Sequence, residues 1–179
     1  MNLRKCINKG LTVIIIGLSV FISSCTTSAD PSPTPVTPTT GLIVSVVTST
    51  AGGNYSPRNI VAIWVEDSSG KFVKSLTVYA DQRKNDLTNW DASSGLNTTD
   101  AVTGATRTNY GTINASWNGT NTAGAVVADG SYTLCMELTD KGTTGNYAEF
   151  TFSKGSTVVA QTPANKPSFS SVSIKWMPL

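Results

Sequence analysis

Histidine is absent from all 179 residues. That removes Ser-His-Asp and Cys-His catalysis, and with them most zinc and copper sites. Cysteine is nearly as scarce, with three in the chain. Cys6 and Cys25 fall in the first 25 residues. Cys135 is therefore alone in the body of the chain, and no internal disulfide can form there. A C-x-x-C-H haem site and cysteine-rich iron–sulfur ligation are excluded on the same count. Charged residues make up only 13% of the chain. The formal net charge of +2 comes from thirteen bases and eleven acids, and Arg4, Lys5 and Lys9 sit at the extreme N-terminus. Thirteen minus those three leaves ten bases against eleven acids. No basic patch argues for nucleic acid. Helical periodicity is weak throughout.

What is present begins with an export signal. Three basic residues precede the short apolar run "LTVIIIGLSVF", the layout of a secretory signal peptide over residues 1–24. The run is too short for a comfortable membrane span. It ends in "FISSC", and Ile22, Ser23, Ser24 and Cys25 resemble the bacterial lipobox. The resemblance implies that Cys25 is lipid-modified and becomes the mature N-terminus, anchoring the protein to a bilayer. Several acyl chains hold where one would not. Thr26 follows, rather than the aspartate that retains many lipoproteins at the inner membrane, which leans the expectation toward the outer membrane. Residues 25–40 continue as "CTTSADPSPTPVTPTT", a Pro/Ser/Thr-rich tether near polyproline II. The fifteen residues after Cys25 reach roughly 45 Å at about 3.1 Å each.

Residues 41–179 read as one domain of short strands. Leu42, Val44 and Val46 share a face. In "NIVAIWVED" both alternating sets are apolar, Val61, Ile63 and Val65 against Ile60, Ala62 and Trp64, as in a central strand covered on both sides. "SSGK" turns this strand into "FVKSLTVYA". Ile113, Ala115 and Trp117 alternate with polar residues, as do Tyr132, Leu134, Met136 and Leu138. "NYAEFTFSK" and "SSVSIKW" complete the set, the latter with Val172, Ile174 and Trp176 inward. The expected fold is all-β, an immunoglobulin-like β-sandwich. Residues 81–110 are less regular and too long for a hairpin turn, which marks them as a functional loop.

Chemistry concentrates at residues 100–107, "DAVTGATR". Gly104 and Ala105 make a thin loop, and glycine can take backbone angles barred to other residues. Trp90, Tyr110 and Trp117 are near in sequence. Each can stack on a planar ligand, with core packing the competing role and the favoured one for Trp117 on its alternating strand. Asp81, Asp86, Asp91 and Asp100 lack the dense spacing of a calcium loop and read as solvated turns. Cys135 alternates away from the apolar face and has no positive neighbour to lower its pKa, so it reads as an inert small residue.

Three resemblances carry the functional expectation. "SWNGTNTAGAVVADGSYTLCMEL", with its three turns, is similar to the immunoglobulin-like domain of flagellar hook-capping proteins, a fold signal only. "NIVAIWVED", "GKFVKSL", "LTNW", "DAVTGATR", "GTINASW" and "GNYAEFTF" occur in the order of the bacterial periplasmic family called domain of unknown function 2271. That family usually has an arginine-glutamate-histidine-glycine run where this chain has "TDKGTTGNY". Finally, "DAVTGAT" resembles the acceptor motif of proteins modified by the FAD:protein FMN transferase, Asp-x-x-Ser/Thr-Gly/Ala-Ala-Thr. Asp100, Thr103, Gly104, Ala105 and Thr106 all match. The resemblance implies FMN joined through its phosphate to Thr106, the transferase as a partner, and an electron carrier rather than a catalyst. Asp100 would orient the loop, help activate the hydroxyl or hold a metal during transfer. The membrane redox partner is not legible. The competing expectation is a cofactor-free lipoprotein whose sandwich holds a protein partner.

Overall fold

The computed structural model describes residues 40–179. The signal segment, Cys25 and the tether up to residue 39 lie outside the described residues. The strands are β1 (Gly41–Thr48), β2 (Ile60–Asp67), β3 (Phe72–Tyr79), β4 (Val102–Gly104), β5 (Thr112–Trp117), β6 (Gly130–Thr139), β7 (Asn146–Lys154), β8 (Val159–Gln161) and β9 (Phe169–Met177). A 3-10 segment, Asp81–Asp86, and a short helix α1, Thr88–Ser94, lie between β3 and β4. One sheet runs β5-β1-β9-β8, the other β4-β3-β2-β6-β7. Every pairing is antiparallel except β3 with β4.

The alternating apolar sets meet between the sheets. Leu42, Val44, Val46, Ile113, Ala115, Trp117, Val172, Ile174 and Trp176 come from one side, and Val61, Ile63, Leu134, Met136, Phe150 and Phe152 from the other. This is the expected core, and Trp117 belongs to it, with its indole N–H donating to the Thr120 carbonyl at 2.7 Å. The turn from β2 to β3 forms where expected. The Asp67 carboxylate accepts from the Ser69 hydroxyl at 2.6 Å and from the N–H groups of Ser69 and Lys71. Gly70 there takes φ +78, which a side chain would resist.

The double-faced pattern of β2 also holds. Its second face packs with Val78, Ala80, Leu87, Trp90 and Cys135 into a smaller cluster. What covers that face was not expected: it is the helical segment of residues 81–94. The reason is topological. β4 runs parallel to β3, with Thr77 opposite Val102 and Tyr79 opposite Gly104. Parallel neighbours cannot be joined by a tight turn and need a crossover, usually helical. The irregular stretch is that crossover. Leu87, just before α1, and Trp90 within it supply its buried side, and Gly95 ends α1 in the left-handed conformation at φ +58.

Candidate functional site

The acceptor-like motif is not a free loop. Val102–Gly104 is the edge strand β4, hydrogen-bonded to β3. Arg107 then makes a backbone bridge to Asn59, with N–H to carbonyl distances of 2.9 and 3.3 Å. Ala105 and Thr106 lie between these two fixed points. Ala105 is exposed and Thr106 partly so. The threonine is thus presented on a short span clamped at both ends, which lowers the entropy lost when another site engages it.

Gly104 serves differently from the expectation. Its backbone is ordinary strand, and its φ is not positive. What glycine supplies is room: a Cβ there would stand 3.0 Å from the Tyr79 ring. Thr103 is exposed and, with Gly104 and Ala105, borders a shallow hollow of about 200 Å³ that also contains Lys84.

Thr106 and Ala105 open on a larger cleft of about 550 Å³. Its far wall is the loop between β1 and β2, which contributes Tyr55 and Arg58. Its floor is the 3-10 segment, which contributes Asp81 and Arg83. Tyr55 is the one exposed aromatic ring among the described residues, at 39% exposure. The Arg83 guanidinium lies over that ring, 4.3 Å from its centre, and reaches Asp86 at 3.3 Å. Asp81 holds φ +25, a costly conformation for a residue with a side chain. Arg58 and Lys84 have no ion-pair partner among the described residues. On the other side of Tyr55 a second hollow, about 360 Å³, is bordered by Lys141 and Gly142. These two belong to "TDKGTTGNY", the stretch that leads from β6 into β7.

Asp140, in the same stretch, fixes the Tyr55 loop. Its carboxylate is fully buried and accepts from the Thr50 hydroxyl at 2.6 Å, the Ala51 N–H at 3.1 Å, the Gly53 N–H at 2.7 Å and the Tyr110 hydroxyl at 2.5 Å. Its carbonyl accepts from the Tyr55 N–H at 2.8 Å. Burial alone would raise the Asp140 pKa. The donors, Thr50 and Tyr110 foremost, outweigh it and hold the carboxyl below its ordinary value. Sequence reading missed this residue. A lone acid directly after an apolar strand was the signal.

Two expected stacking residues are placed elsewhere. Trp90 is fully buried under the outer face of β2. Its indole N–H donates to the Ser75 hydroxyl at 2.9 Å and its backbone N–H to buried Glu137 at 2.9 Å. It holds α1 to the sheet and is a core residue. Tyr110 does not line the Thr106 cleft. Its hydroxyl is spent on Asp140, and burial, then Asp140, pushes its pKa up. It braces the loop that carries Tyr55.

Asp100 also stands apart from the cleft. Its carboxylate pairs with the nearly buried Lys74 ammonium at 3.1 Å, which also donates to Thr120 at 3.3 Å. Of its three expected roles, this geometry favours orienting the chain as it enters β4. Asp81, Asp86, Asp91 and Asp100 do not converge with one another, and no group of three or more acids gathers among the described residues. Cys135 is fully buried beside Trp64, and desolvation pushes its thiol pKa far up, as suits an inert residue.

Chemically, the arrangement offers one hydroxyl on a clamped span, an exposed aromatic face, and several cations with few paired acids. Such an arrangement can bind an anionic planar group.

No curated relative and no solved structure matches this chain. The model of domain of unknown function 2271, described as a predicted periplasmic protein, matches residues 44–168, so the chain belongs to that family.

Proposed function

We propose that the protein is an extracytoplasmic electron carrier, anchored through a lipidated Cys25 and bearing FMN on Thr106. The observation that carries this is the placement of Thr106: the motif's last hydroxyl opens on a cleft lined by Arg58, Arg83 and the exposed ring of Tyr55. Attachment would occur in the transferase. The Thr106 oxygen bonds to the FMN-side phosphorus of FAD, the pyrophosphate P–O bond breaks, and AMP leaves. The hydroxyl proton passes to a base of the transferase, since a threonine hydroxyl is a weak nucleophile that must be activated. The bound flavin supplies the electron chemistry, and the protein tethers it and sets its surroundings. A covalent link suits a compartment from which a free cofactor would be lost.

Co-expression with and without the transferase tests the reading. An intact-mass gain of one FMN and in-gel flavin fluorescence are expected only with the transferase, and neither in Thr106→Val. An unmodified wild type, or a modified Thr106→Val protein, overturns it. The finer assignment of the sandwich as immunoglobulin-like belongs to the same proposal. It rests on the face-to-face packing of two largely antiparallel sheets, and the parallel β4 lies outside that pattern.

A further inference from the structure

We infer that the cleft between Thr106 and Tyr55 is a built seat for the attached group. In that seat Tyr55 is the stacking platform, and Arg58 and Arg83 are the counter-charges. This rests on the reading of Thr106 as a flavin acceptor and adds what the attached group does next: it folds back onto this chain instead of projecting into solvent.

Four observations support the inference. The cleft, about 550 Å³, falls in the range of about 300–1,000 Å³ typical of small-ligand sites. Tyr55 is exposed although other large aromatic rings of the domain are packed inward; the Arg83 guanidinium lies over one face of its ring, and a planar partner would take the opposite face or displace that guanidinium. The backbone that carries the ring is also held in place. The Tyr55 N–H is bonded to the Asp140 carbonyl, and the Arg58 N–H closes a turn onto the Tyr55 carbonyl at 2.8 Å. The buried Asp140 carboxylate ties down Ala51 and Gly53 just upstream. Such fixing keeps a platform ready without an ordering cost at the moment of binding.

The charges are unequal. Arg58 and Arg83 line the cleft against Asp81; Arg83 already pairs with Asp86 at 3.3 Å, whereas Arg58 has no ion-pair partner among the described residues. A phosphodiester at Thr106 brings a negative charge, and guanidinium groups suit phosphate oxygens through paired N–H donors. Positive charge beside the ring also favours whichever state of the attached group is more negative. The cleft residues would therefore raise its affinity for electrons.

The test uses the full chain co-expressed with the transferase. Flavin emission is measured per attached flavin, with the attached fraction read from intact mass. Stacking of ordinary aromatic strength shifts the seated population by about two- to tenfold. Wild type should therefore be quenched relative to free FMN, and Tyr55→Leu should regain emission and iodide access by a similar factor. Tyr55→Phe should stay quenched. Arg58→Gln with Arg83→Gln should lower the midpoint potential of the attached flavin. If wild type carries flavin but Tyr55→Leu matches it in emission and iodide access, the seat is wrong while the attachment stands. If the two arginine changes leave the potential unmoved, the arginines' role as counter-charges is wrong. If wild type carries no flavin, both readings fall together.

Discussion

The two faces of the five-stranded sheet are built on different rules. The inner face is apolar by alternation and meets a second sheet with the same pattern. The outer face mixes Trp64 and Cys135 with polar pegs and is covered by Trp90 of α1. Glu137 is bonded to Asn89 and the Trp90 N–H, Ser75 to the Trp90 indole, and Glu66 to Trp64 and Ser93. A periodic face can be read from one strand at a time. A pegged face depends on partners far apart in sequence. The candidate site grows from the pegged side, where the crossover lays Arg83 and β4 along one sheet edge.

The comparison can be broken at its most buried points. Trp117→Ala on the inner face should cost about 3–5 kcal/mol in urea unfolding. Trp90→Ala on the outer face should fall at the bottom of that range, about 3 kcal/mol, because water can replace part of a thin cover. Hydrogen exchange in that variant should rise over residues 81–107 before the inner strands respond. Equal cost and global exchange in both variants would mean the outer cover is not a separate layer.

A smaller effect separates the cleft loop from both faces. Asp140→Asn should cost about 1–3 kcal/mol, as loss of a buried charged acceptor does. The sign with pH follows from the depressed carboxyl of Asp140. Its contribution is fully present above the unfolded value of about 3.9 and is lost as pH falls through the folded value. Acid unfolding curves of wild type and the variant should therefore converge at low pH. Curves that stay parallel would show that Asp140 contributes no proton-linked stability. The smallest change probes the edge strand. Gly104→Ala puts a methyl 3.0 Å from the Tyr79 ring, and a ring edge can give a little, so about 1 kcal/mol or less is expected. A larger loss would show the β3–β4 contact to be rigid.

Legibility in the sequence follows the same division. β1, β5, β6 and β9 were readable because each alternates over six residues or more. β2 revealed both of its covered faces, though not what covers the outer one. β4 was hidden because three residues carry no period, and α1 because two buried residues, Leu87 and Trp90, are too few to set a helical stripe. Thr106 was legible through a motif. Tyr55, Arg58, Arg83 and Asp140 were not, since the loops that assemble them are far apart along the chain. Nearness in sequence also misled: Trp90 and Tyr110 lie within sixteen residues of Thr106, yet neither lines its cleft.

The short parallel strand has one more consequence. Without β4, the outer rim of β3 would offer a row of unpaired amides and carbonyls, a template on which a second molecule could polymerise. With β4 in place, Thr77–Tyr79 at the end of β3 are paired with Val102–Gly104, and the chain leaves this three-residue edge at once through Ala105. The segment read as the cofactor's point of attachment thus also shields this end of the β3 rim from pairing with a second molecule. Deleting Val102–Gly104 should therefore impair solubility whether or not any cofactor is carried, by unpairing Thr77–Tyr79.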